Sequence, residues 1–245
     1  MGSNPKEDCA TIIYMPTFKP QLAEDEIYHI YNRGIDGKIV FPKNEYYERF
    51  VQGLGLFNTT DPVNIKDMIV NSSNPGIRSQ ARGGERLVDV GLFNLRPTHY
   101  HLLLRQIVPN GISLFMQKIG TGFTTFYNLK NKRSGPLFQG AFRARLADKD
   151  RYLKHLFAYI ALNSLDADMS EWRDGGITDR KKAEELLINA RWSSFGSLFK
   201  NDKRFNGVVN EDFIEEFFDS HSELKEFVLS WGVAEADLIK EITAG

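Results

Sequence analysis

Two periods of apolar residues organise most of this chain. From Ile27 to Ile35 the run Ile-Tyr-His-Ile-Tyr-Asn-Arg-Gly-Ile is β-branched and aromatic, and Gly34 closes it, which predicts a strand. Tyr47, Phe50, Val51 and Leu54 recur at helical spacing, so a helix is expected from Glu45 to about Leu56 with Asn44 as its cap. Leu87 to Leu95 and His99 to Val108 read as two strands joined by Arg96-Pro97-Thr98, a hairpin. The unbroken Leu102-Leu103-Leu104 predicts a strand buried on both faces near the centre of a sheet. A helix follows from Ile112 to about Asn131, with Leu114, Phe115, Ile119 and Phe126 inward. Ala141 to Ala147 makes a short strand, and Asp148 or Asp150 caps a helix through about Asn163. The order β-α-ββ-α-β-α predicts an α+β fold, a four-stranded antiparallel sheet with helices on one face.

Outside these elements the pattern weakens. Residues 1–25 carry three prolines and read as an extended arm. Residues 58–86 lose periodicity and contain Asn74-Pro75-Gly76 and Gly83-Gly84, the marks of an insertion loop, made locally basic by Arg78, Arg82 and Arg86. A helix is expected at Arg180–Asn189 within a polar, irregular stretch. Phe213 to Leu229 reads as one further helix, so residues 200–245 are expected to form an acidic helical appendage.

Composition adds bounds. The 245 residues are 42% hydrophobic and 12% aromatic, the balance of a soluble globular chain. No apolar run approaches the roughly 20 residues that span a bilayer. The start lacks a charged stretch followed by an apolar core, so a cytoplasmic location is expected. The single cysteine, Cys9, sits outside any ligand cluster.

The formal net charge of −1 argues by itself against nucleic acid. Its distribution changes that picture. Lys118 to Lys154 holds nine basic residues against Asp148 and Asp150, whereas Glu211 to the end holds ten acids against two lysines. A basic middle and an acidic tail hide within a neutral total. Two ordinary solvated faces would look the same, so charge leaves the question open.

Two small constellations bear chemistry. His99 and His101 are two apart on a strand, so they share a face with Cβ atoms about 6–7 Å apart and are able to chelate one ion. The plainer alternative is a chance pair of hydrogen-bonded histidines. Tyr159 and Asn163 are four apart on the last predicted helix and also share a face, beside the stripe Leu153, Leu156, Phe157 and Ile160. The plainer alternative there is a rim tyrosine and a helix-capping asparagine.

Four segments read in order resemble one family. Tyr28-His29-Ile30-Tyr31-Asn32-Arg33-Gly34 resembles its first strand, and Pro97-Thr98-His99-Tyr100-His101-Leu102-Leu103-Leu104 its His-hydrophobic-His strand. Asn128 with Arg133-Ser134-Gly135-Pro136-Leu137-Phe138-Gln139-Gly140 resembles its basic loop. Tyr159-Ile160-Ala161-Leu162-Asn163 and the later Trp192-Ser193-Ser194-Phe195 resemble its nucleophile helix and the segment behind it. The family is the HUH single-tyrosine transposases, in particular the REP-associated ones, and the resemblance spans residues 26–199. It implies a ferredoxin-like HUH nuclease domain that cuts single-stranded or hairpin DNA and transfers the strand. It further implies Mg²⁺ or Mn²⁺ bound by His99, His101 and Asn163, and Tyr159 as nucleophile through a 5′-phosphotyrosine.

The resemblance also makes Arg33, Lys132, Arg133, Arg143, Arg145 and Lys149 the expected DNA contacts, with location at the nucleoid. Relatives include monomers and dimers, so a homodimer stays open. Ser164 stands where the family usually has proline, and Tyr127 is a second tyrosine competing for the nucleophile role. Phe138 and Phe142 are candidates for base stacking, with Phe138 read first as core. A domesticated relative that binds structured nucleic acid without cutting, and a metalloenzyme unrelated to nucleic acid, are the alternatives. The latter leaves the basic middle unexplained.

Overall fold

The structure is a computed structural model that describes residues 22–63, 84–147, 150–200 and 203–233. Cys9, Arg78, Arg82 and Lys149 lie outside the described residues, as do most of the expected arm and insertion loop.

Four strands form one antiparallel sheet: β1 (Ile27–Arg33), β2 (Val88–Arg96), β3 (His99–Gln106) and β4 (Arg143–Leu146). Their spatial order is β2-β3-β1-β4, the ferredoxin-like arrangement. β3 is central, as its three consecutive leucines require, and all three are fully buried. Pro97-Thr98 closes the hairpin, because Arg96 already pairs with His99. Gly34 ends β1 for a steric reason. A Cβ there would lie 2.2 Å from the Lys38 carbonyl oxygen, where the chain doubles back into a 3-10 turn.

Helices α1 (Asn44–Leu56) and α2 (Gly111–Lys130) cover one face of the sheet. Phe50, Leu54, Phe115 and Ile119 meet Ile30, Leu102 and Leu104 there. Asn44 is the first residue of α1 rather than its cap. Lys43 takes the cap position in extended conformation, without a side-chain hydrogen bond.

The expectation of helices on one face only is corrected by α3 (Asp150–Leu162), which packs on the opposite face. Strands alternate their side chains, so Ile27, Leu92 and Leu103 point that way and need cover. Leu153, Leu156, Phe157 and Ile160 supply it, fully or almost fully buried. Behind α3 come a 3-10 turn at Asn163–Leu165, α4 (Trp172–Gly175), α5 (Arg180–Asn189), α6 (Glu211–Glu215) and α7 (His221–Leu229). Residues 203–233 are no detached lobe, because Phe213, Ile214, Phe218, Leu224, Val228 and Trp231 share the core under α3.

The single helix expected over Phe213–Leu229 is two helices. Ser220 interrupts it by turning extended and accepting a hydrogen bond from the Glu223 amide at 3.1 Å, while Glu223 accepts from the Asp219 amide at 2.6 Å. Ser220-His221-Ser222-Glu223 has the sequence of a capping box, with the return bond from Glu223 reaching the Asp219 amide rather than that of Ser220 itself. Ser220→Ala is expected to cost about 1 kcal/mol in urea denaturation. An unchanged midpoint would show that the cap does not start α7.

Candidate functional site

The antiparallel pairing of β1 with β3 sets Tyr31 opposite His101 and Arg33 opposite His99. His29, Tyr31, His99 and His101 therefore occupy the sheet face beneath α3. The rings of His99 and His101 lie 5.1 Å apart, centroid to centroid, and edge to face. Each has its Nδ1 engaged. His99 Nδ1 is 2.9 Å from the Thr98 hydroxyl, and His101 Nδ1 is 2.9 Å from His29 Nε2. Engagement of Nδ1 in both leaves Nε2 as the nitrogen available for an external group. For both this needs the tautomer in which Nδ1–H donates, from His99 to the Thr98 hydroxyl and from His101 to His29.

Burial keeps these imidazoles neutral. It pushes His29 down to about 3, with help from the Arg145 charge. It pushes His99 down to about 4, with Arg96, Arg173 and Arg33 adding to it and Asp166 opposing. His101 falls well below the usual range through burial and the two neighbouring histidines. A neutral imidazole offers a lone pair at physiological pH without first losing a proton.

α3 brings Tyr159 over this cluster. Its ring stands edge-on to His101 at 5.7 Å and to His29 at 5.8 Å. Asn163 begins the 3-10 turn after α3 rather than lying within the helix, yet it stays tied to Tyr159. Its Nδ2 donates to the Tyr159 carbonyl at 2.7 Å. Its Oδ1, the atom expected to face an ion, accepts from Arg173 Nη2 at 2.9 Å. Asn94 on β2 holds the end of α3 by donating to the Ile160 carbonyl at 3.0 Å and to Ser164 Oγ at 2.7 Å. Ser164 thus helps anchor the end of α3 to the sheet.

Tyr127, the competing tyrosine, faces the other way. It lies in the core under α1 and α2, and its hydroxyl donates to the Ile39 carbonyl at 3.0 Å. The sheet separates it from the histidines.

The expected DNA-contacting residues divide. Arg33 is exposed beside His99 and donates to Gln139. Arg143 and Arg145 pair across from Tyr31 and His29, on the histidine face of the edge strand β4. Arg133 instead braces its own loop, donating to Asn128 Oδ1 at 2.8 Å and to the Pro136 carbonyl at 2.9 Å. Lys132 is exposed in the same loop. Phe138 is core, edge-on to Tyr100, and Phe142 packs partly against that core.

Sequence reasoning missed His29, Arg96, Asp166 and Arg173. His29 joins the cluster only through strand register, which no local pattern encodes. Arg173 and Asp166 lie in the aperiodic stretch after α3, joined by hydrogen bonds at 2.8 and 3.1 Å. Among the described residues, no three His, Cys, Asp or Glu side chains form a cluster that could hold a metal ion. Among the described residues no helix is long and apolar enough to cross a membrane.

The fold is similar to the solved structure of a REP-associated tyrosine transposase bound to a REP hairpin. The two share 12% sequence identity and a TM-score of 0.46, over 76% of this chain and 86% of that chain. No protein-family profile and no curated protein matches the sequence.

Proposed function

We propose that this protein is a metal-dependent endonuclease and strand-transferase for single-stranded, hairpin-containing DNA, with Tyr159 as nucleophile. The observation that carries the reading is the convergence of Tyr159, from α3, on His101, which His99 adjoins on the same face of the sheet. Guanidinium groups of Arg33, Arg96 and Arg173 act on His99, and that of Arg145 on His29, so the surroundings suit a phosphodiester.

The donor set fits Mg²⁺ or Mn²⁺ with His99, His101 and Asn163 as ligands. Two neutral imidazoles, each fixed through Nδ1, and one amide leave positions for phosphate oxygens and water. Such an ion would polarise the scissile phosphate and stabilise the departing oxygen, so the phenol would need no strong base. Tyr159 Oη forms the new bond to phosphorus, the bond to the 3′-oxygen breaks, and the phenol proton ends on that oxygen. The products are a 5′-phosphotyrosine and a 3′-hydroxyl able to reverse the reaction with another strand. Arg33, Arg143, Arg145 and Lys132 are assigned to the DNA backbone.

The test is incubation with labelled hairpin-flanked single-stranded DNA and Mn²⁺. An SDS-stable protein–DNA adduct is expected, lost in EDTA while binding persists. Binding with no adduct under any divalent ion would favour a non-cutting relative instead.

A second measurement addresses the ion alone. His29→Phe removes the partner of His101 Nδ1, and a lost partner behind a ligand typically weakens metal affinity about 10–100-fold. Mn²⁺ titration by calorimetry reads this directly. Equal affinity in the variant would remove His29 from the ion site.

A further inference from the structure

Arg173 occupies the atom that the proposed ion needs. Its Nη2 donates at 2.9 Å to Asn163 Oδ1 and at 2.8 Å to Asp166 Oδ2, and its Nε donates at 3.1 Å to Asp166 Oδ1. Asn163 is completely buried, and its Nδ2 is fixed on the Tyr159 carbonyl, so the amide has little freedom to turn its oxygen elsewhere. The guanidinium lies 4.6 Å from the Trp172 ring centre and 5.8 Å from that of Tyr159. Burial opposes its charge, but Asp166 outweighs that, with the Tyr159 hydroxyl acting in the same direction. It remains a cation.

A divalent ion on Asn163 Oδ1 would then sit within a few ångströms of a fixed guanidinium. Like charges that close oppose each other strongly where water is scarce. Yet the Arg173 side chain is 39% exposed, and its guanidinium lies beside the Tyr159 ring. A phosphodiester brought to the Tyr159 hydroxyl arrives at that same place. Guanidinium binds phosphate in a two-pronged, charge-assisted manner, stronger than its single bond to a neutral amide oxygen.

We propose that Arg173 is a phosphate-binding residue that exchanges Asn163 for the DNA backbone, making DNA binding and ion binding mutually favourable. This rests on the reading of the site given above. Without DNA, Arg173 blocks Asn163 Oδ1. With DNA, a phosphate oxygen takes over the guanidinium, its negative charge screens the two cations, and Asn163 Oδ1, itself unmoved, is left open to the ion. Asp166 keeps its hold through Nε, so the arginine pivots rather than leaves.

The test uses the full chain carrying Tyr159→Phe, so that bound DNA is not cut. Mn²⁺ affinity is measured by calorimetry without DNA and with a saturating hairpin-forming oligodeoxynucleotide. DNA is expected to raise Mn²⁺ affinity about tenfold or more. Arg173→Gln is expected to bind Mn²⁺ more tightly than its parent without DNA, and to lose most of the DNA effect. Should Arg173→Gln unfold, Arg173→Lys serves. It keeps a cation for Asp166, but its single ammonium does not span both partners, so the same two shifts are expected in weaker form.

Equal Mn²⁺ affinity with and without DNA, or equal coupling in the Arg173 variants, overturns the proposal. His99→Ala with His101→Ala separates the two levels. Mn²⁺ binding untouched by that double substitution refutes the ion site itself, and the proposal with it. Histidine-dependent binding indifferent to Arg173 and to DNA refutes the exchange alone.

Discussion

Tyr159→Phe is expected to give a folded protein that forms no covalent DNA adduct, a loss of roughly 10³-fold or more, the scale of removing a nucleophile. The substitution deletes one oxygen and keeps the ring. Its edge-on contacts to His101 and His29 remain, as does the core beneath α3. Stability should move by no more than about 1 kcal/mol, the net value of one hydrogen bond. Adduct formation and stability are therefore expected to separate cleanly. Tyr127→Phe is the matching control. Its hydroxyl serves the Ile39 carbonyl on the far side of the sheet, so the adduct should survive. Retention of the adduct in Tyr159→Phe, or its loss only in Tyr127→Phe, would reassign the nucleophile. Denaturing gels with labelled DNA and urea unfolding of the same preparations measure both quantities.

The part of this site written in local sequence is the part that depends on short-range periodicity. His99 and His101 share a face because strands alternate. Tyr159 and Asn163 stay linked because a helical turn separates them, even though Asn163 sits one residue past α3. The four strands and the three helices against them were legible for the same reason, their ends shifting by at most two residues where described.

What was not legible depends on the meeting of distant segments. His29 reaches His101 through the register of β1 on β3, which the sheet as a whole sets. Arg173 reaches Asn163 through a ten-residue irregular excursion closed by Asp166 and the buried Trp172. The second helical layer was hidden for a related cause. Leu102-Leu103-Leu104 demanded cover on both faces, but nothing local said that α3 and the acidic segment would provide it. The box at Ser220 and Glu223 was present in the sequence and would have divided the last helix correctly.

Charge misleads most about the acidic segment, and its core contacts correct the reading. Phe213→Ala is expected to cost about 3–5 kcal/mol, the range for emptying a buried phenylalanine site. Phe213 is completely buried and packs over Gly91 of β2, where a Cβ would come within 2.9 Å of its ring. The Arg105 guanidinium lies 4.3 Å from the ring centre, and Glu216 pairs with that same guanidinium. Phe157 of α3 is 6.0 Å away. One residue thus joins the acidic segment, the sheet and the helix that carries Tyr159. The acids around it are committed locally: Glu216 to Arg105, Glu223 to Lys154 and Glu226 to Arg180. A loss of this size is a large share of the roughly 5–15 kcal/mol that holds a typical domain folded. Urea unfolding should accordingly show one transition moved to lower denaturant. A detached tail would give a different result, with the main transition unmoved and a small separate one lost. Because α3 rests on Phe213, adduct yield should fall together with stability in this variant. That sets it apart from Tyr159→Phe, in which yield falls alone.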